Sequence, residues 1–201
     1  MRGKYYTASP PTLAALRIGL FSFIIVGLVS LVYHGTKDKI ADNERRALLQ
    51  SLQSVTDKRR YDNDLANDKV QLQSGGQAYT VYRARQAGKP IAAIITSTTT
   101  QGYNGEIDLL IAINVSGTIN SVRVLNHRET PGLGDAIELK KSNWILSFNQ
   151  LALQNLDQWA VKRDGGNFDQ FTGATITPRA IVNEVKNTAL FFQQHQHEIF
   201  Q

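Results

Sequence analysis

The chain has 201 residues, enough for one domain with attachments, and its 42% hydrophobic and 19% charged residues support a folded core rather than disorder. It contains no cysteine, which excludes disulfides, thiolate metal sites, iron–sulfur ligation by this chain and cysteine nucleophiles. The formal net charge is +5, but Lys and Arg are scattered, with small groups at Arg45-Arg46 and Lys58-Arg59-Arg60 and no basic run interleaved with aromatics, so nucleic acid is not the expected partner.

Leu13 to Tyr33 is nearly all apolar, broken only by Arg17, two serines and two glycines. About 20 such residues suffice to cross a bilayer. Arg17 can snorkel to the headgroups at one end, and Tyr33 suits the other interface. A cleaved signal peptide is the competing reading. The apolar core is long for one, however, no Ala-x-Ala-like site follows, and His34 to Lys39 is a poor cleavage site. An uncleaved anchor is therefore expected. Charge leaves its orientation open, since Arg2, Lys4 and Arg17 on one side nearly balance Lys37, Lys39, Arg45 and Arg46 on the other.

From Lys37 to Lys58, Ile40, Leu48, Leu49, Leu52 and Val55 recur on one side, which predicts a stalk helix. Asp62 to Gly76 is polar, ends in Ser74-Gly75-Gly76 and reads as a loop or linker. Strands are predicted at Ala78 to Ala84, Ile91 to Thr98 and Ile107 to Val115. Another carries Ile119, Val122 and Val124, with Ser116-Gly117 as the turn of a hairpin. Ala136 to Leu156 has Trp144, Ile145, Phe148 and Leu151 at helix-compatible spacing, and Trp159 to Lys162 reads as a last strand. A closing helix is predicted from Pro178 to Gln196, with Ile181, Val182, Val185, Ala189, Leu190 and Phe192 as its apolar pattern. Strands followed by separate helices give an α+β class with a largely antiparallel sheet and flanking helices.

Two stretches carry chemistry. Asp169 to Pro178 gathers hydroxyls and small residues ahead of the closing helix. Thr177 suits the N-cap and Pro178 the first helical position. The free N–H groups then face Thr172, Gly173, Ala174 and Thr175, where a phosphate would be favoured and Arg179 would add a charge. The alternative is an ordinary turn with a capping threonine. The second stretch is His127 to Asp135, where Pro131, Gly132 and Gly134 impose an irregular backbone that a planar ligand can approach closely. Its alternative is a tight strand-to-helix turn. His195 and His197 are two apart and do not share a helix face, so a metal site is not expected there. No nucleophile-elbow, Walker or zinc-protease motif occurs.

Thr172-Gly173-Ala174-Thr175, with Asp169 ahead of it, resembles the flavinylation motif of the FMN-binding domain family. As a whole the chain is similar to the G subunit of the Rnf/Rsx ion-translocating electron transport complex, related to the C subunit of the sodium-translocating NADH:quinone reductase. The resemblance implies FMN joined through its phosphate to the hydroxyl of Thr175, with Asp169, Thr172, Gly173, Ala174 and Thr177 around it. It also implies that the Glu129-Thr130-Pro131-Gly132-Leu133-Gly134 run borders the flavin ring, with Glu129, Thr130, Gly132, Leu133 and Gly134 as ring-side candidates. Lys162 would place a cation near the flavin, unless it belongs to a solvated basic pair with Arg163.

The expected organisation is an N-terminus (1–12), a transmembrane anchor (13–33), a stalk helix and linker (34–76), and an FMN-binding domain (77–201); the resemblance implies that the N-terminus is cytoplasmic and the domain periplasmic, at the bacterial inner membrane. The implied partners are membrane lipid, the other membrane subunits of the complex, and a separate flavin transferase that uses FAD. The expected function is electron transfer within a complex that couples it to ion translocation, with no catalytic site in this chain itself. Two other readings remain: an anchored assembly or binding module without covalent flavin, and a noncovalent binder of a phosphate ligand.

Overall fold

The structure is a computed structural model that describes residues 10–201. The expected N-terminal segment therefore lies mostly outside the described residues, as do Arg2 and Lys4. Two compact units divide the chain, one ending at Arg46 and the other spanning Ala47–Gln201. Helix α1, Pro10–Val55, runs through the division without interruption, so the expected anchor and stalk are one helix. Its two prolines, Pro10 and Pro11, lie in the first turn, where a missing N–H is harmless, and no proline follows until Pro90. The polar stretch after Tyr33 does not break the helix. His34 bonds through Nδ1 to the Ser30 carbonyl at 2.9 Å, and the Thr36 hydroxyl donates to the Val32 carbonyl at 2.8 Å. In the first unit the side chains from Leu16 to Tyr33 are exposed, and this helix is long and apolar enough to cross a membrane.

The second unit is a five-stranded antiparallel meander with the strands in sequence order: β1 (Lys69–Ser74), β2 (Gln77–Gln86), β3 (Lys89–Gly102), β4 (Gly105–Asn114) and β5 (Ile119–Asn126). Strand β1 lies inside the segment expected to be a linker, which corrects that expectation. Only Val70 and Leu72 point toward the core from this edge strand, so its apolar signal is thin. Ser74 pairs with Gln77, which makes Gly75-Gly76 a two-residue hairpin turn with φ of +59° and +81°.

Each face of the sheet has its own cover. Helix α2, Ile176–Phe200, packs Ile181, Val182, Val185, Ala189 and Phe192 against Ile95, Ile107, Leu109 and Ile111. Leu190, expected in the same stripe, is instead 39% exposed. One buried polar cluster also ties α2 to the sheet. The carboxylate of Glu184 accepts from the Ser97 hydroxyl and, at 3.1 Å, from the Gln77 amide. Tyr79 donates to Gln77 and stacks on Phe191 at 4.0 Å, and burial together with the charge of Glu184 pushes its phenol up to about 12. On the other face, Leu52 and Val55 from the end of α1 join Leu65 over Tyr82, Ile94, Leu110 and Ala112. The apolar stripe of α1 is thus buried only from Leu48 onward, whereas Ile40 is exposed.

Asp68 pins the segment before β1 to β2. Its carboxylate accepts from Arg83 at 2.5 Å and from Arg85 at 2.7 Å. Burial pushes this carboxyl up, but the hydrogen bonds from the two arginines outweigh it and hold the carboxyl below its usual 3.8. A depressed folded value means that the contribution is complete above 3.8 and disappears as the pH falls through the lowered value. Asp68→Asn is therefore expected to destabilise the domain by about 2 kcal/mol at neutral pH. Its urea midpoint should converge on that of the parent in acid, and a difference independent of pH would contradict this account.

Between β5 and α2 the helix-compatible spacing gives no α-helix, and the predicted strand is nearly absent. Short 3-10 helices form at Gly134–Ile137, Trp144–Phe148, Leu156–Gln158 and Lys162–Asp164. A continuous helix over Ala136 to Leu156 is prevented because the backbone at Gln150 (φ +62°) and Leu151 is drawn into pairing with the start of β5. There, Gln150 N donates to the Ile119 carbonyl and Ile119 N to the Leu151 carbonyl, both at 2.8 Å. The expected strand at Trp159 to Lys162 reduces to one bridge, Val161 to Phe168. Gly166 closes this loop so tightly that a Cβ there would lie 2.1 Å from the Ala160 carbonyl oxygen. Gly166→Ala is expected to cost about 3 kcal/mol, measured by chemical denaturation of the full chain in detergent.

Candidate functional site

The site is built where three segments meet at one buried carboxylate. Glu129, only 5% exposed, follows β5. Its backbone N–H donates to His127 Nδ1 at 3.0 Å, while the opposite ring nitrogen of His127 lies 3.0 Å from Glu138 Oε1. The first carboxylate oxygen of Glu129 accepts from Asn104 N at 3.1 Å, at the tip of the β3–β4 hairpin. The second accepts from the hydroxyl of Thr177 at 2.5 Å, in the first turn of α2. Asn104 also donates through Nδ2 to Thr130 Oγ1 at 3.2 Å. The loop then folds on the Thr130 carbonyl, which accepts from Leu133 N and Gly134 N at 3.1 Å each, while Gly132 N donates to Asp135 at 2.8 Å.

A cavity of about 330 Å³ opens above this junction. Tyr103 contributes from the hairpin, Glu129, Thr130, Leu133 and Gly134 from the loop, and Gly173 to Thr177 from the start of α2. Its rim is apolar and open: Tyr103 is 67% exposed, Leu133 46% and Ile176 44%. The polar groups lie deeper, at Glu129, Thr130 and Thr177. A planar aromatic group suits the rim, and an anion suits the N-terminus of a 25-residue helix.

The start of α2 differs from its expected form. The helix begins at Ile176, so Thr175 occupies the N-cap, and Thr177 lies inside the first turn. Thr177 is buried and engaged with Glu129, and Pro178 still falls where no N–H is needed. Thr175 makes no side-chain capping bond, and its hydroxyl has no hydrogen-bond partner among the described residues. Gly173, at φ +81°, turns the chain ahead of it, and Ala174 N donates to the Phe171 carbonyl at 3.1 Å. Arg179, expected to face a phosphate, is instead held by Asp164 through two bonds of 2.5 and 2.8 Å. The hydrogen bond from Arg179 keeps the Asp164 carboxyl below its usual value.

Of the sequence-derived candidates, Thr175, Thr177, Gly173, Ala174, Glu129, Thr130, Leu133 and Gly134 line the cavity, whereas Asp169, Thr172, Gly132 and Lys162 do not. Lys162 pairs with Asp169 at 2.5 Å on the surface, and Trp144 Nε1 donates to the Asp169 carbonyl at 2.7 Å. His195 packs on Phe191 at 4.9 Å, and α2 continues to Phe200, beyond its expected end at Gln196. Sequence reasoning misses Tyr103, Asn104 and Ile176. The Gly102 to Gly105 turn is the available signal for the first two.

Residues 102–189, which hold every segment of this site, match the model of the FMN-binding domain, and residues 12–55 match that of the RnfG N-terminal region. The fold is also similar to that of the crystal structure of Shewanella oneidensis NqrC, at a TM-score of 0.50 and 18% identity, covering 72% of this chain and 73% of that one. Fold and site together define a protein of the FMN-binding domain class that carries an N-terminal helix long and apolar enough to cross a membrane. Relatives over nearly the whole chain narrow this further. The G subunit of the ion-translocating oxidoreductase complex of Pseudoalteromonas atlantica is 46% identical over 92% of this chain and 89% of its own length, and that of Vibrio cholerae is 45% identical over 92% and 91%. The chain belongs to this family, the G subunits of ion-translocating oxidoreductase complexes.

Proposed function

We propose that this chain is an electron-transfer subunit of a membrane-bound, ion-translocating oxidoreductase complex and carries FMN as a phosphoester on Thr175. The observation that carries the reading is the Thr175 hydroxyl. It lacks any protein partner among the described residues and stands at the N-terminus of a long helix, on the wall of a cavity with an apolar rim. Neither threonine at the helix start acts as a side-chain cap, which removes the main support for an ordinary capped turn. The bound FMN supplies redox chemistry at its ring. The chain holds the phosphate on Thr175 with the N–H groups of α2 nearby, borders the ring with Tyr103, Leu133 and Ile176, and keeps the loop in register through Glu129. Gly173, Ala174 and Thr130 leave room for backbone approach and polar contact.

Asp169 and Lys162, 70% and 60% exposed, form a surface pair beside the motif. In this reading they serve recognition by the flavin transferase rather than contact with the ring. Residues 13–33 anchor the chain in the inner membrane, with the N-terminus in the cytoplasm and the domain in the periplasm, and the other subunits of the complex carry the ion path. The test is a denaturing gel of protein matured in its native host. A flavin-fluorescent band and an intact mass increased by one FMN are expected. A mass equal to the bare polypeptide would overturn the proposal.

A further inference from the structure

The sheet face opposite α2 is covered unevenly. The end of α1 lies over β2, β3 and β4 through Leu52 and Val55, and on β5 the same face passes from the buried Ser121 to the half-buried Arg123 and the exposed Leu125. Arg123 stands opposite Leu110 in the register and so points to that face. A groove of about 610 Å³ runs beside it, between residues 47–54 and residues 138–140.

Three properties of the groove belong together. First, Arg123 is half-buried and bonds only to the neighbouring Val122 carbonyl, at 2.7 Å; no carboxylate pairs with it among the described residues. Burial disfavours its charge, a cost that a carboxylate beside it would offset. The one acid lining the groove, Glu138, is engaged with His127, and Lys140 adds a second cation without a partner among the described residues. Second, Leu125 and Leu139 expose 44% and 39% of their surface along the same groove. Third, β5 is the last strand of the sheet. Its start is paired with Gln150 and Leu151 and packed against Trp144–Phe148, whereas among the described residues the stretch from Arg123 to Asn126, which borders the groove, makes no backbone bond outside the sheet. An open edge of this kind is a template for another strand.

We propose that this groove docks an extended acidic segment of another protein. The segment adds to the free edge of β5, seats a carboxylate on Arg123 and places an apolar side chain between Leu125 and Leu139. The edge decides against a lipid headgroup, which would satisfy the cations but leave the backbone groups unpaired. Charge decides against a second copy. Pairing β5 with β5 would bring two Arg123 side chains together, and the other open edge, β1, contributes Lys69, Gln71 and Gln73 and no acid. The surface is separate from the flavin cavity, so the inference stands independently of the proposed cofactor.

The test places a benzophenone photo-cross-linker at Leu125 of the full-length chain in membranes of the native host. A single adduct with another polypeptide is expected, mapping to a peptide that contains Asp or Glu. Its yield should fall about tenfold in Arg123→Glu and persist in Arg123→Lys. Lys140→Glu, at an exposed position, should lower it in the same direction and controls for any loss of folding in Arg123→Glu. An adduct with a second copy, with lipid only, with a peptide lacking acids, or of unchanged yield in both charge reversals would overturn the proposal, as would no adduct at all.

Discussion

Thr175→Ala is expected to abolish flavin fluorescence on a denaturing gel and return the intact mass to that of the polypeptide, while the domain stays folded. The two effects separate because the Thr175 hydroxyl bonds to nothing among the described residues. Its loss removes no capping bond, and the change in stability should stay within about 0.5 kcal/mol. Thr175→Ser keeps an oxygen at the same place and should retain attached flavin. Thr177→Ala is the informative contrast. Thr177 is 1% exposed and bonded to Glu129, so its loss should destabilise the start of α2 yet leave the flavin attached. Flavin that survives in Thr175→Ala and vanishes in Thr177→Ala would move the attachment to the second threonine. Flavin that is present in the native protein and lost on denaturation would support a noncovalent binder.

Glu129→Ala is expected to be the most damaging substitution around the cavity, at about 3 kcal/mol. It leaves the buried hydroxyl of Thr177 and the N–H of Asn104 without their acceptor, and it opens space beside two glycines packed on this side chain. A Cβ on Gly102 or on Gly134 would lie 2.8 Å from a carboxylate oxygen of Glu129. Glu129→Gln should cost only about 1 kcal/mol. Its carbonyl can still accept from Asn104, and its amide can donate to the Thr177 oxygen. Both tryptophans of the chain, Trp144 and Trp159, lie in this domain, so their fluorescence follows its urea unfolding in the full-length protein. Equal losses in Ala and Gln would mean that the negative charge itself, rather than the pattern of bonds, holds the junction together.

The parts of the fold with strong local periodicity were legible in the residues. The long apolar run was legible by its length, the strands β2 to β5 by alternation or by short apolar runs, and the apolar face of α2 by its helical spacing, Leu190 excepted. The departures occur where a long-range contact overrules a local pattern. Strand β1 offers two apolar residues and needs β2 to exist as a strand. Trp144 to Leu151 repeats like a helix but is drawn out to pair with Ile119. Thr177 looks like a cap by its neighbours and is turned inward because Glu129, 48 residues away, accepts its hydrogen.

The candidate site divides in the same way. Local chemistry pointed to the Thr172 to Thr175 turn before a helix and to the glycine-rich loop at 129–134, because a helix start and a small-residue turn are properties of adjacent residues, and the family resemblance chose them over ordinary turns. That these two stretches face one cavity, that Tyr103 joins them, that Arg179 is claimed by Asp164, and that Thr175 rather than Thr177 is left with a free hydroxyl were decided by tertiary structure alone. Each of these depends on which donor finds which acceptor across the fold, and no spacing along the chain encodes that distance.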